Sequence, residues 1–146
     1  MILNRQRSVR VPVKDLNEFL ARARRALRLP AESVGVCLVT NDEMARWNRQ
    51  YRGKRGPTDV LSFRAADQNG TGPKPQKNSS SLYLGDVAIA PAIARRNARR
   101  FSRTLGQEMR ILILHGMLHL LGYDHETDEG QMDRRELRLR RSLGLA

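Results

Sequence analysis

Residues 104–125 read TLGQEMRILILHGMLHLLGYDH. Thr104, with Gln107 three residues on, has the form of a capping box, in which hydroxyl and amide satisfy backbone groups that the first turn leaves open. From Ile111 to Leu121 nearly every position is apolar, so no stripe divides a buried face from a wetted one. A helix with that pattern belongs in the interior. Gly122 lets the chain turn out of it. The stretch predicts a central buried helix over 105–121, and the other elements have to be arranged around it.

Those elements alternate along the chain. Residues 2–11 loosely alternate apolar and polar, as an edge strand would. Pro12 opens a helix in which Val13, Leu16, Phe19, Leu20, Ala23 and Leu27 form one stripe, and Pro30 ends it. Ser33–Thr40 predicts a strand with Cys37 as a small core side chain. Asn41 is expected to cap a helix reaching Tyr51, with Met44, Trp47 and Asn48 on one side. A basic, turn-rich loop leads to a strand over Thr58–Phe63. Leu82–Ala90 is another strand, and Pro91 begins a helix to about Ser102 with Ile93, Ala94, Ala98 and Phe101 toward the core. A last helix is expected from Thr127 or Asp128 to about Leu143, with Met132, Glu136, Leu139 and Leu143 on one side. Residues 65–81 are rich in Gly, Pro, Ser and Asn and are expected to be a mobile surface loop. Strands interleaved with helices over residues 1–146 indicate one mixed α/β domain.

The chain carries a formal net charge of +12. Such an excess predicts a polyanionic partner, and nucleic acid is the commonest. Arg95, Arg96, Arg99, Arg100 and Arg103 are the expected phosphate contacts. Aromatic residues are scarce, so base stacking cannot be the main source of affinity. The single cysteine rules out an internal disulfide framework. The charged N-terminus lacks an apolar stretch of signal-peptide length, and the apolar run 111–121 is too short to span a bilayer. A cytoplasmic protein without membrane contact is the expectation.

All three histidines fall between positions 115 and 125. On a helix His115 and His119 are i and i+4 and project from one face. Past Gly122, His125 can return toward the same point. Three imidazoles suit zinc, and three protein ligands leave a fourth position for water; Asp124 or Asp86 could instead close the shell as in a structural site. Two unpaired imidazoles in an apolar surface would otherwise be costly. The spacing H-x3-H-x2-G-x2-H matches the metzincin proteases, but the Glu that serves there as general base is Gly116 here. Asp59 and Asp86 are candidates for orienting a histidine, and Asp124 and Glu126 are further carboxylates near the histidines.

The string Leu114 to His125 resembles the signature of the YbeY endoribonucleases. Asn48-x-x-Tyr51-Arg52-Gly53, Pro57-Thr58-Asp59-Val60-Leu61-Ser62-Phe63, Leu84-Gly85-Asp86-Val87-Ala88-Ile89 and Met132-x-x-x-Glu136 stand in that family's order. The resemblance implies a single α+β domain with a mixed sheet of about four strands packed with about five helices, and a metal site on the central helix. It implies one zinc ion on His115, His119 and His125, with Arg52 and His115 as the residues of catalysis. The implied activity is endonucleolytic cleavage of single-stranded RNA in ribosomal RNA maturation, notably the small-subunit 3′ end, and in ribosome quality control, with ribosomal subunits as partners. The 65–81 loop is longer and more polar than the family pattern. Two other readings stand beside this one: a metzincin-like metalloprotease, and a non-catalytic RNA-binding ribosome-assembly factor with structural zinc.

Overall fold

The computed structural model describes residues 1–67, 72–73, 83–124 and 126–145. Its elements run β1 (Ile2–Asn4), α1 (Val13–Ala26), β2 (Val34–Leu38), α2 (Asn41–Arg52), β3 (Val60–Arg64), β4 (Gly85–Ile89), α3 (Pro91–Arg100), α4 (Leu105–Leu120) and α5 (Gln131–Ser142). The four strands form one mixed sheet in the order β1-β2-β4-β3. β1 and β4 pair parallel to β2, and β3 pairs antiparallel to β4 with Leu61 opposite Ala88 and Phe63 opposite Asp86. This is the α+β arrangement expected.

Alternation along the strands divides the core between the two faces of the sheet. Val36, Leu38, Val87 and Ile89 pack with α1, α4 and α5, through residues such as Leu16, Phe19, Met117, Met132 and Leu139. Cys37, Ala88, Leu61 and Phe63 point the other way and pack with Met44 and Trp47 of α2 and Ile93 of α3. Because α4 packs against β3, β4, α1, α3 and α5, it has no outer side to make polar. Ten of its sixteen residues are buried, which is why its apolar run has no stripe. Thr104 and Gln107 form both hydrogen bonds of the capping box.

Several boundaries differ from the sequence expectation, each for a local reason. β1 ends at Asn4 because the buried Gln6 side chain bonds the backbone of Val9 at both N–H and C=O, closing a turn where a longer strand was expected. Thr40, not Asn41, caps α2: its hydroxyl accepts from the Glu43 N–H at 3.2 Å, and Asn41 is already helical. α3 stops at Arg100 and Ser102 takes a positive φ of 55°. Phe101 therefore stays 56% exposed instead of entering the core, with Arg103 against its ring. α5 starts at Gln131, later than expected, and Asp128 holds the approach by accepting from the N–H groups of Gly130 and Met132. Cys37 is a buried core side chain as expected. Of the expected 65–81 loop, Ala65–Asp67 forms a 3-10 turn. Most of the remainder, with Leu82 and His125, lies outside the described residues. Among the described residues no helix is long and apolar enough to cross a membrane.

Candidate functional site

The C-terminal half of α4 carries His115 and His119 one turn apart. Their rings meet edge to face with centroids 4.7 Å apart, and the two Nε2 atoms are 3.1 Å apart. Each ring is held from behind. His115 Nδ1 lies 2.7 Å from Glu136 Oε1, and His119 Nδ1 lies 3.0 Å from the Tyr123 carbonyl oxygen. A carbonyl can only accept, so His119 Nδ1 carries the proton.

Burial pushes the Glu136 carboxyl up. The hydrogen bond from His115 and the Arg140 charge outweigh that and hold it below its ordinary value. Glu136 is thus an anionic acceptor, and His115 Nδ1 also donates. In the neutral tautomers both Nε2 lone pairs face each other. A cation between them would offset that repulsion. This back-bonded pair has the donor chemistry of a metal site. Among the described residues no group of three such ligands is assembled, and His125, the expected third, lies outside them.

Local geometry explains how the backbone reaches His119. Gly122 N donates to His119 O and Tyr123 N to Leu118 O, the two bonds of a Schellman ending. Gly122 has φ 97°, which a side chain would resist. The reversal lays the Tyr123 carbonyl over the last turn, where it meets the histidine.

The histidine pair opens into a cleft of about 590 Å³. Its walls are Tyr51 and Arg52 of α2, residues 58–59, Val60, Leu61, Ser62 and Arg64 of β3, and, beyond α4, Gly122, Tyr123, Asp124 and Thr127. Arg52 and His115, 63 positions apart in the chain, are brought to one cavity by packing. Trp47 and Tyr51 set their rings against Phe63 at 5.6 and 4.8 Å, which ties the end of α2 to β3. Ser62 Oγ then donates to Gly116 O at 2.9 Å, tying β3 to α4 beside His115. Arg52 is exposed, with Glu126 at 4.0 Å.

Not every candidate belongs to the cleft. Asp59 lines it, but its carboxylate accepts from Thr58 and Asn97. Asp86 is hydrogen-bonded by the Tyr83 hydroxyl and is not among the residues lining the cleft. The carboxylate found on His115 is Glu136, with Arg140 behind it on Oε2. The signal for Glu136 was present: a glutamate interrupting the buried stripe Met132, Leu139, Leu143. None of Arg95, Arg96, Arg99, Arg100 and Arg103 lines the cleft, and Arg103 pairs with the buried Glu108 at 2.8 Å. Asp124 lines the cleft and accepts from the Glu126 N–H.

Gly116 has a packing role. A Cβ there would lie 2.5 and 2.9 Å from the two Val87 methyl carbons and 3.2 Å from Ser62 Oγ. A glutamate at this position has no room while α4 lies on the sheet, which removes the proton acceptor of the protease reading. Gly116→Ala should destabilise the protein by about 1–3 kcal/mol, since overpacking exceeds the helix-propensity gain of about 1 kcal/mol. Urea unfolding measures it; a raised midpoint would show that Val87 yields freely.

Fold and cleft together define a single-domain α+β protein with a back-bonded histidine pair and an arginine in one cavity. The family model described as Endoribonuclease YbeY matches residues 1–144. Endoribonuclease YbeY of Koribacter versatilis is 39% identical over 145 residues, which span 99% of this chain and 86% of the relative. The protein of the same name from a Sulfurovum species is 32% identical over 143 residues, 98% of this chain and 90% of the relative. The solution structure of TM1509 from Thermotoga maritima superposes with a TM-score of 0.61 at 29% identity, covering 98% of this chain and 89% of that one. The chain belongs to the YbeY endoribonuclease family. That places it among hydrolases acting on RNA.

Proposed function

We propose that the protein is a zinc-dependent endoribonuclease that cuts single-stranded RNA, acting in maturation of the small-subunit ribosomal RNA 3′ end and in ribosome quality control, on ribosomal subunits in the cytoplasm. The observation that carries the metal reading is the 3.1 Å approach of two Nε2 atoms whose Nδ1 partners are already taken. His115, His119 and His125 would hold the ion. When bound, zinc supplies Lewis-acid polarisation of a phosphoryl oxygen and lowers the pKa of water toward neutrality.

The chain's own residues do the rest. Glu136 and the Tyr123 carbonyl hold both imidazoles by Nδ1, the tautomer in which Nε2 would be the metal-binding atom. Arg52 offers a planar fork of N–H donors to a phosphate, where negative charge grows in the transition state. Arg64 adds a second cation to the wall.

Incubation with labelled single-stranded RNA and with casein, each with and without chelator, separates the readings. RNA should be cut and casein spared, with cutting abolished by chelator and restored by zinc. As-purified protein should carry close to one zinc per chain, and His115→Ala, His119→Ala and His125→Ala should each lose most of it. Chelator-resistant cutting would assign the activity to a contaminant and favour a non-catalytic assembly factor. Full zinc retention in one mutant would remove that histidine from the set.

A further inference from the structure

α2 is acidic in its first turn, with Asp42 and Glu43, and basic in its last, with Arg49 and Arg52. The negative end of a helix accounts for a cation or two there. It does not account for how the cations are distributed. Arg46, Arg49, Arg52 and Arg55 are all exposed, and they divide between two concave surfaces. Tyr51 and Arg52 line the cleft of the histidines. Ala45, Arg46, Arg49, Gln50, Arg55 and Gly56 line a second groove of about 740 Å³. The chain supplies the two in alternation: 49–50 to the groove, 51–52 to the cleft, 55–56 to the groove, 58–59 to the cleft. The end of α2 and the turn after it are therefore the wall between them, about one helix diameter (~10–12 Å) thick.

That wall is held in place. Asn48 is buried, and its side-chain amide donates to Gly56 O at 2.9 Å, while its carbonyl accepts from Lys54 N at 3.3 Å. Arg55 thus extends from backbone tied to the helix. No carboxylate lines the groove, and small residues (Ala45, Gly56) leave room for a backbone to come close. Glu43 sits one turn back, binding Arg46 at 3.1 Å and Arg5 at 3.2 Å. Arg49 and Arg55 have no ion pair among the described residues. With no aromatic ring in the groove, its affinity is for phosphates and not for bases. The arginines of α3 are as numerous but line neither cavity.

The geometry points to a second RNA surface: a strand seated in the cleft continues over the 52–57 turn, and Arg49 and Arg55 hold its phosphates in the outer groove. This rests on the RNA-cutting reading above and adds the path of the strand outside the cleft. The groove serves length and grip, while the cut is made at the histidines.

Two single-stranded RNAs test it, one of about 4 nucleotides and one of about 16, the span of common single-strand site sizes. Single-turnover cleavage by the zinc-loaded full chain over a range of enzyme concentrations gives the half-saturating concentration for each, at several salt concentrations. For wild type, the long RNA should bind more tightly and show the steeper salt slope. In Arg49→Gln/Arg55→Gln that advantage of length should shrink. The long-RNA slope should fall by about 1.4, two contacts at about 0.7 each, which removes about 25-fold from the affinity gained per tenfold drop in salt. Arg49→Lys/Arg55→Lys should recover most of the slope, since a point charge serves a phosphate contact; recovery would also show that the Gln pair had not acted through misfolding. An unchanged length advantage, or equal losses on both RNAs, would overturn the outer path. Failure of wild type to cut either RNA would sink the RNA-cutting reading itself, and it is seen before any variant is compared.

Discussion

Arg52→Ala should lower single-turnover cleavage of a labelled single-stranded RNA by about 10²–10³-fold, the usual cost of losing one donor aimed at developing charge. Zinc content and the urea midpoint should stay at wild-type values. The reason lies in what Arg52 touches. It is the last residue of α2, placed by Trp47 and Tyr51 on Phe63 and not by bonds of its own. Among the described residues its ion-pair partner is Glu126, which is 4.0 Å away and 62% exposed, so water screens that pair. A substrate phosphate can replace Glu126 at little cost, and removing the guanidinium uncovers no buried charge. Arg52→Lys should recover only part of the rate, because an ammonium lacks the fork that grips two oxygens. Wild-type cleavage by Arg52→Ala would end its catalytic role. Loss of zinc or of the fold would make it structural.

Glu136→Gln should weaken zinc binding by about 10–100-fold, the range found when a residue behind a metal-bound histidine is changed. Competition with a chromophoric chelator measures this without any RNA present. Glu136 serves two neighbours: Oε1 takes His115 Nδ1 at 2.7 Å and Oε2 takes the Arg140 guanidinium. A glutamine has one oxygen for both. If it turns that oxygen to His115, its NH₂ faces Arg140 and two donors oppose each other. If it turns to Arg140, the NH₂ faces Nδ1 and favours the tautomer that protonates Nε2. Either way the orientation that leaves Nε2 available is lost or strained. Zinc affinity within about twofold of wild type would show that His115 needs no partner to hold its ring.

The central helix was legible because its signals are local. The capping box spans four residues, Gly122 follows the last apolar position, and an uninterrupted apolar run has only one stable place, the interior. The histidine pair was legible for the same reason, since i and i+4 share a face on any helix. Boundaries were less so. Thr40 and Asn41 are both good caps, and the choice turns on which residue still has extended backbone as β2 ends. Phe101 looked like a core residue by spacing, but the helix stops one position earlier and the periodicity no longer applies.

By itself the sequence determined the elements, the buried helix, the basic character and the imidazole face, because each depends on residues within a few positions of one another. Only the tertiary structure decided what stands behind and beside those imidazoles. Glu136 reaches His115 because α5 packs on α4, 21 residues after it. Arg52 reaches the same cleft because two aromatic rings of α2 settle on a strand that is hydrogen-bonded to the histidine helix. Asp59 and Asp86, equally eligible in sequence, were drawn to Asn97 and Tyr83. Which carboxylate meets a histidine is set by how helices stack on a twisted sheet, and residue spacing along the chain carries no record of that.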